Sequence, residues 1–152
     1  MSVTGKLTSL AAVTIFSSGT TTALTSGSIA TSAAIDFSQA NTLIQGYFRG
    51  RWVLSATAGA APTATTGWVV YRLYSPDGGT TFETAPTSAP PLTAPLATIP
   101  AATTDSAAFV RASDPVDGHS GTLKIILYNN GTGQQLNAGW SLTWVPVSDQ
   151  GI

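Results

Sequence analysis

Three stretches of this chain alternate apolar and polar residues with a period of two. Trp140, Leu142 and Trp144 alternate with Ser141 and Thr143. Leu123, Ile125 and Leu127 alternate with Thr122, Lys124 and Ile126. In a run read as one long strand from Leu43 to Leu54, Phe48, Trp52 and Leu54 fall on one face, with Tyr47, Arg49, Arg51 and Val53 on the other. Successive side chains of a strand point to opposite faces, so this period predicts strands with one face in a core. No stretch shows the 3.6-residue period of an amphipathic helix. The run Trp68–Tyr74 is apolar on both faces, with Val69, Tyr71 and Leu73 against Trp68, Val70, Arg72 and Tyr74, which predicts a central strand.

Composition supports the same class. Charged residues are 9% of the chain, against about 25% in an ordinary soluble domain, and Glu83 is the single Glu. Thr, Ala, Ser and Gly dominate, so the polar surface is built of hydroxyls. β-branched Thr favours strands, and helices lean on Glu, Lys, Arg and Leu.

Turn chemistry divides the strands. In "SPDGG" Pro76 presets φ, Asp77 closes an Asx-turn and Gly78 and Gly79 accept positive φ; Thr80 to Glu83 then reads as a short strand. "TAGAAPTATTG" is a loop, and "SQAN" a turn after a β-like run from Ile29 to Phe37. The segment from Thr84 to Asp105 crowds Pro86, Pro90, Pro91, Pro95 and Pro100 together, so it is a connection along an edge with one short strand around Leu92 to Ile99. "SAAFVRAS" is a short strand, "DPVDGHSG" a turn, "NNGTG" a hairpin loop, and Pro146 ends the last strand.

Strands at short intervals with these turns predict an all-β protein, a single β-sandwich that is jelly-roll-like. Residues 1–27 are sparse in apolar side chains and read as an extended N-terminal arm, with a frayed terminus as the alternative; residues 28–152 form the β-sandwich domain. Leu7, Leu10, Val13 and Phe16 are the arm's candidate anchors, able to lie on a neighbouring subunit.

Several function classes lose support. Six Lys and Arg scattered along a chain of net charge -1 cannot build the basic stripe that nucleic-acid binding needs. With no Cys there are neither disulfides nor thiolate metal sites. No run approaches the ~20 apolar residues of a membrane span, and the apolar stretch Leu7–Phe16 imitates a signal peptide only until Thr8, Ser9 and Thr14 interrupt it.

Catalytic constellations are weak. His119 is the only His, beside Ser120, but the stretch lacks a nucleophile-elbow pattern and reads as an exposed turn. Asp114, Asp117 and His119 are chemically able to ligate a cation, yet "DPVDG" is also ordinary turn chemistry. The seven acids are too few and too turn-bound to predict a glycosidase pair. Trp52, Trp68, Trp140 and Trp144 offer a sugar-stacking platform as one reading and core as the other, and Asn130-Gly131-Thr132 is a glycosylation sequon explained equally by a tight turn. The expectation is no enzyme, no cofactor and no metal.

The stretches from "AAIDFSQANTLIQGYFRGRWVLSA" to "YRLYSPDGGTTFE", and then "TLKIILYNNGTGQQLNAGWSLTWVPV", resemble small β-sandwich structural proteins of tailed bacteriophages over Ile29 to Val147. The resemblance lies in strand and turn chemistry and carries over no catalytic residue. It implies a capsid decoration or cement protein, on the outer surface of the virion, binding the major capsid protein as a homo-oligomer, with a trimer favoured. A tail or head-fibre protein and a carbohydrate-binding module are the alternatives.

Overall fold

The computed structural model describes residues 12–37, 49–86, 93–119 and 121–147. They form ten strands and no helix: β1 (Val13–Phe16), β2 (Ile29–Thr31), β3 (Ile35–Asp36), β4 (Arg49–Ala58), β5 (Trp68–Tyr74), β6 (Ala97–Ile99), β7 (Ala107–Ala112), β8 (Val116–Asp117), β9 (Thr122–Asn129) and β10 (Ser141–Val147). Two antiparallel sheets pack face to face as a β-sandwich. One runs β1-β10-β4-β7, with β8 continuing the β7 edge of β4; the other runs β2-β9-β5-β6, with β3 continuing the β2 edge of β9.

Counting β2 with β3 and β7 with β8 as single interrupted strands leaves eight, in the orders 1-8-3-6 and 2-7-4-5. Every connection except that from β5 to β6 crosses from one sheet to the other. The loop "NNGTG" is one of these crossings. It was expected to close a hairpin, but β9 pairs with β5 and β2 while β10 pairs with β4 and β1. Its fold comes from buried polar groups: the Asn129 amide donates to the carbonyls of Leu24 (3.2 Å) and Gln134 (2.7 Å) and accepts from the Thr132 hydroxyl (2.7 Å).

Alternation decides what is buried. In β4 Gly50, Trp52, Leu54, Ala56 and Ala58 face inward, and in β10 Leu142 and Trp144 do. They meet Trp68, Val70, Leu123, Ile125 and Leu127 of the second sheet, with Trp140 alongside. The central strand β5 is buried on both faces, as its sequence predicts: Val69, Tyr71 and Leu73 form a second cluster with Ile126, against which Ala85 packs from the segment after the turn. In β1 a register shift between Thr14 and Phe16 breaks the alternation, so Ile15 and Phe16 are both buried.

Other expectations are corrected. The strand ending in Leu54 continues to Ala58. Thr80 to Glu83 does not resume as a strand. In that turn the Asp77 carboxylate accepts from the Thr81 N–H (2.8 Å), the Thr81 hydroxyl (2.7 Å), the Ser75 hydroxyl (2.8 Å) and the Thr80 N–H (3.0 Å), which holds its pKa well below the usual carboxylate range. The chain is held against β5 instead by the Glu83 N–H on the Tyr74 carbonyl (3.0 Å). Pro146 does not end β10, which pairs with β4 through Val147; the described part of β1 pairs only as far as Trp144, so it asks no ladder donor of Pro146. The "SQAN" turn lies outside the described residues.

The position opposite Pro146 is Gly50, and a Cβ there would fall within the Trp144 indole. Gly50→Ala is therefore expected to overpack the core and to cost about 1–3 kcal/mol, measured as a lowered urea midpoint with an unchanged slope.

Candidate functional site

Strand β1 is the outer strand of its sheet among the described residues, and β2 with β3 is the outer strand of the other. Between these edges the sandwich is open. A groove of about 510 Å³ runs there, walled by hydroxyls of Thr14, Ser17, Thr20 and Thr31 and floored by Phe16 and Trp140. The floor is fixed: the two rings are 4.9 Å apart, the Trp140 indole N–H donates to the Thr22 carbonyl (2.8 Å), and the Thr21 hydroxyl donates to the Trp140 carbonyl (2.6 Å). The lining residues carry no charge, so the groove offers hydrogen bonds in both directions and a strand edge to which another strand can add.

Of the four anchors read from the sequence, Leu7 and Leu10 lie outside the described residues. Val13 and Phe16 lie in β1, paired with β10 of their own domain, with Phe16 buried in the core and Val13 packed against it. Leu24 is buried too, through an antiparallel bridge to Leu136. Residues 13–27, read as part of the arm, thus contribute a strand and core side chains to the sandwich. Ile15, Phe16 and Leu24 are buried and Val13 is half-buried, because the register shift and the Leu24 bridge place them inward.

The exposed turn predicted around His119 is overturned. His119 is 7% exposed and sits against three rings, with centroid distances of 5.0 Å to Trp144, 5.4 Å to Phe37 and 5.5 Å to Trp52. Burial, with the Arg72 charge acting in the same direction and Asp117 opposing, pushes its pKa down to about 4. Nothing local in "DGHSG" signals this, because the partners come from three distant strands or strand ends. Ser120 lies outside the described residues, and among those described no group of three His, Asp or Glu gathers to hold an ion.

All four Trp are fully buried, so they are core and form no exposed sugar platform. Asp105 is also buried, locked by Arg111 through Nε at 2.9 Å; burial raises its pKa, but the Arg111 hydrogen bonds, the Ala102 N–H and the Arg111 charge outweigh this and leave it lowered. In the sequon, Thr132 is buried and its hydroxyl is engaged by Asn129 and Gln134.

No protein-family model, curated protein or solved structure matches the chain.

A neutral imidazole buried among rings makes a specific pH signature. The unfolded chain takes up a proton near pH 6.5 while the folded protein resists until about pH 4. The stabilisation is complete above the unfolded pKa and falls as pH drops through this window, by about 3 kcal/mol in all. Urea unfolding between pH 7.5 and 5, above the range where the carboxylates titrate, should show the decline in the parent protein and a flat profile in His119→Phe.

Proposed function

We propose that this chain is a virion structural protein, a capsid decoration or cement protein that binds the outside of a tailed-phage head and stabilises the shell by clamping adjacent capsid subunits. The observation that carries the reading is the open edge at β1. The sandwich presents there an uncharged groove lined by Thr and Ser beside a strand with one unpaired side among the described residues. The twelve residues ahead of β1 include Leu7 and Leu10.

The strand orders 1-8-3-6 and 2-7-4-5 support the jelly-roll-like reading, a winding suited to a rigid shell component because it packs two sheets with short edges. Rigidity matters for this work, since a clamp that deforms transmits no force. The arm, now confined to the residues before Val13, reaches over an adjacent subunit with Leu7 and Leu10 as anchors. Association as a trimer multiplies modest contacts into firm attachment, and the capsid protein meets hydroxyl groups that are desolvated at far lower cost than ions.

The structure redraws the truncation that tests this. Removing residues 1–27 would take β1, Phe16 and Leu24 out of the core, whereas removing residues 1–11 leaves every described strand intact. The shorter deletion should keep the thermal midpoint and lower capsid affinity by about 100-fold through lost multivalency; undiminished attachment would remove the arm from the mechanism. In purified particles the copy number should lie within a few-fold of the major capsid protein, and a handful of copies per particle would move the protein to the tail or a head fibre.

A further inference from the structure

The crossing between β9 and β10 holds the only Asn-Gly pair of the chain, Asn130-Gly131, a dipeptide with a chemistry of its own. The Gly131 backbone nitrogen, on losing its proton, can attack the Asn130 side-chain carbonyl carbon, Cγ. A C–N bond forms, ammonia leaves, and water then opens the succinimide at either carbonyl to give Asp or isoaspartate. Glycine hinders this attack least, because it has no side chain. Burial does not prevent it here. Gly131 is exposed and a Cβ built on it meets open space, so water and hydroxide reach the peptide nitrogen.

The backbone conformation does prevent it. The Gly131 N–H donates to the Asn129 carbonyl at 2.7 Å, closing a three-residue turn with Asn130 at its centre. Ala107 is the one described residue other than glycine with a positive φ, so the turn at Asn130 is the inverse form, with a central ψ of about +65°. At that ψ the Gly131 nitrogen stands on the far side of the Cα–C bond from the Asn130 Cβ. A succinimide ring needs the two eclipsed, so ψ must turn by roughly half a revolution before the ring can close. The flanks oppose this rotation. The Asn130 N–H donates to the Gly67 carbonyl (3.2 Å), and the Thr132 carbonyl accepts from the N–H groups of Thr63 (2.9 Å) and Ala64 (3.2 Å). Asn129 and Thr132 are fully buried, with the Thr132 hydroxyl donating to the Asn129 side-chain carbonyl at 2.7 Å.

We propose that Asn130 is a deamidation site that the fold keeps latent, so that reaction there marks copies whose crossing loop has opened. The mark is irreversible. Isoaspartate carries an extra methylene in the backbone, which moves Thr132 out of reach of Asn129 and of the Thr63 and Ala64 N–H groups, and either product adds a carboxylate beside the buried Asn129. A copy that has passed through isoaspartate formation cannot reclose the loop as before.

The experiment incubates the full chain in a mildly alkaline buffer, folded and in guanidinium chloride, beside a synthetic peptide spanning Leu127–Gln135. Mass spectrometry after proteolysis follows the conversion of amide to acid, and the shifted retention of isoaspartate identifies the succinimide route. The peptide and the unfolded chain should react at similar rates, and the folded protein at least about tenfold more slowly, because reaction waits on local opening. Thr132→Val, which removes the hydroxyl that holds Asn129, should quicken the reaction in the folded protein, with Trp fluorescence verifying that the variant is folded. In the parent the Gly131 amide should be protected from hydrogen exchange, a readout that needs no variant. A folded protein that reacts as fast as the peptide, an unprotected Gly131 amide, or a folded Thr132→Val that reacts no faster than the parent would overturn the proposal.

Discussion

The contact between Trp52 and Trp144 holds the rest of this structure in place. Their indoles lie 5.1 Å apart on paired strands, directly opposite in register, with His119 against both and Gly50 leaving the space that the Trp144 ring fills. The strands β4 and β10 are the middle of their sheet, so this pair sets the register that places Leu54 and Leu142 inward beside it. It also fixes the segment carrying Asp117 and His119, closing one end of the sandwich. A chain with few charges has no ion-pair network to fall back on, and its specificity rests on such shape matching.

The hydroxyl-rich composition has two physical consequences. Ser and Thr satisfy backbone groups where strands cross or break, as the Thr132 hydroxyl does for Gln134 and as the Ser32 hydroxyl, between β2 and β3, does for the Ile125 N–H at 2.9 Å. The scarcity of ions also makes each charged group conspicuous. Asp77 organises a turn, Asp105 and Arg111 hold the connection into β7, and Arg49 and Arg72 line a cavity. The open edge at β1 and the arginine-lined cavity lie in different parts of the sandwich, one lined by no charged residue and the other by Arg49, Arg72 and Asp117.

Much of the fold is legible in the chain because burial on a strand follows alternation. The bounds of β5 and its two buried faces follow from "WVVYRLY", and Leu123, Ile125 and Leu127 face the core as their spacing requires. The Pro-rich connection carries only the short strand β6, at the sheet edge, because Pro removes ladder donors. The site was far less legible. Burial of His119 depends on rings contributed by residues far from it in sequence, and the groove at β1 exists only where two sheet edges come together. The bulge that turns both Ile15 and Phe16 inward is equally invisible to period-two reasoning.

The sequence by itself determined that the protein is an all-β sandwich, which strands are central, where Asp and Gly turn the chain, and that its surface is hydroxylic. These follow from local rules: the pleat, the φ of Pro and Gly, and the desolvation cost of ions. Only the tertiary structure decided that "NNGTG" crosses between sheets, that Pro146 sits within a strand, that Ile15, Phe16 and Leu24 join the core, and that all four Trp are interior. The reason is that sheet partners are chosen by which apolar faces can be buried together, a sum over distant segments that no single stretch contains.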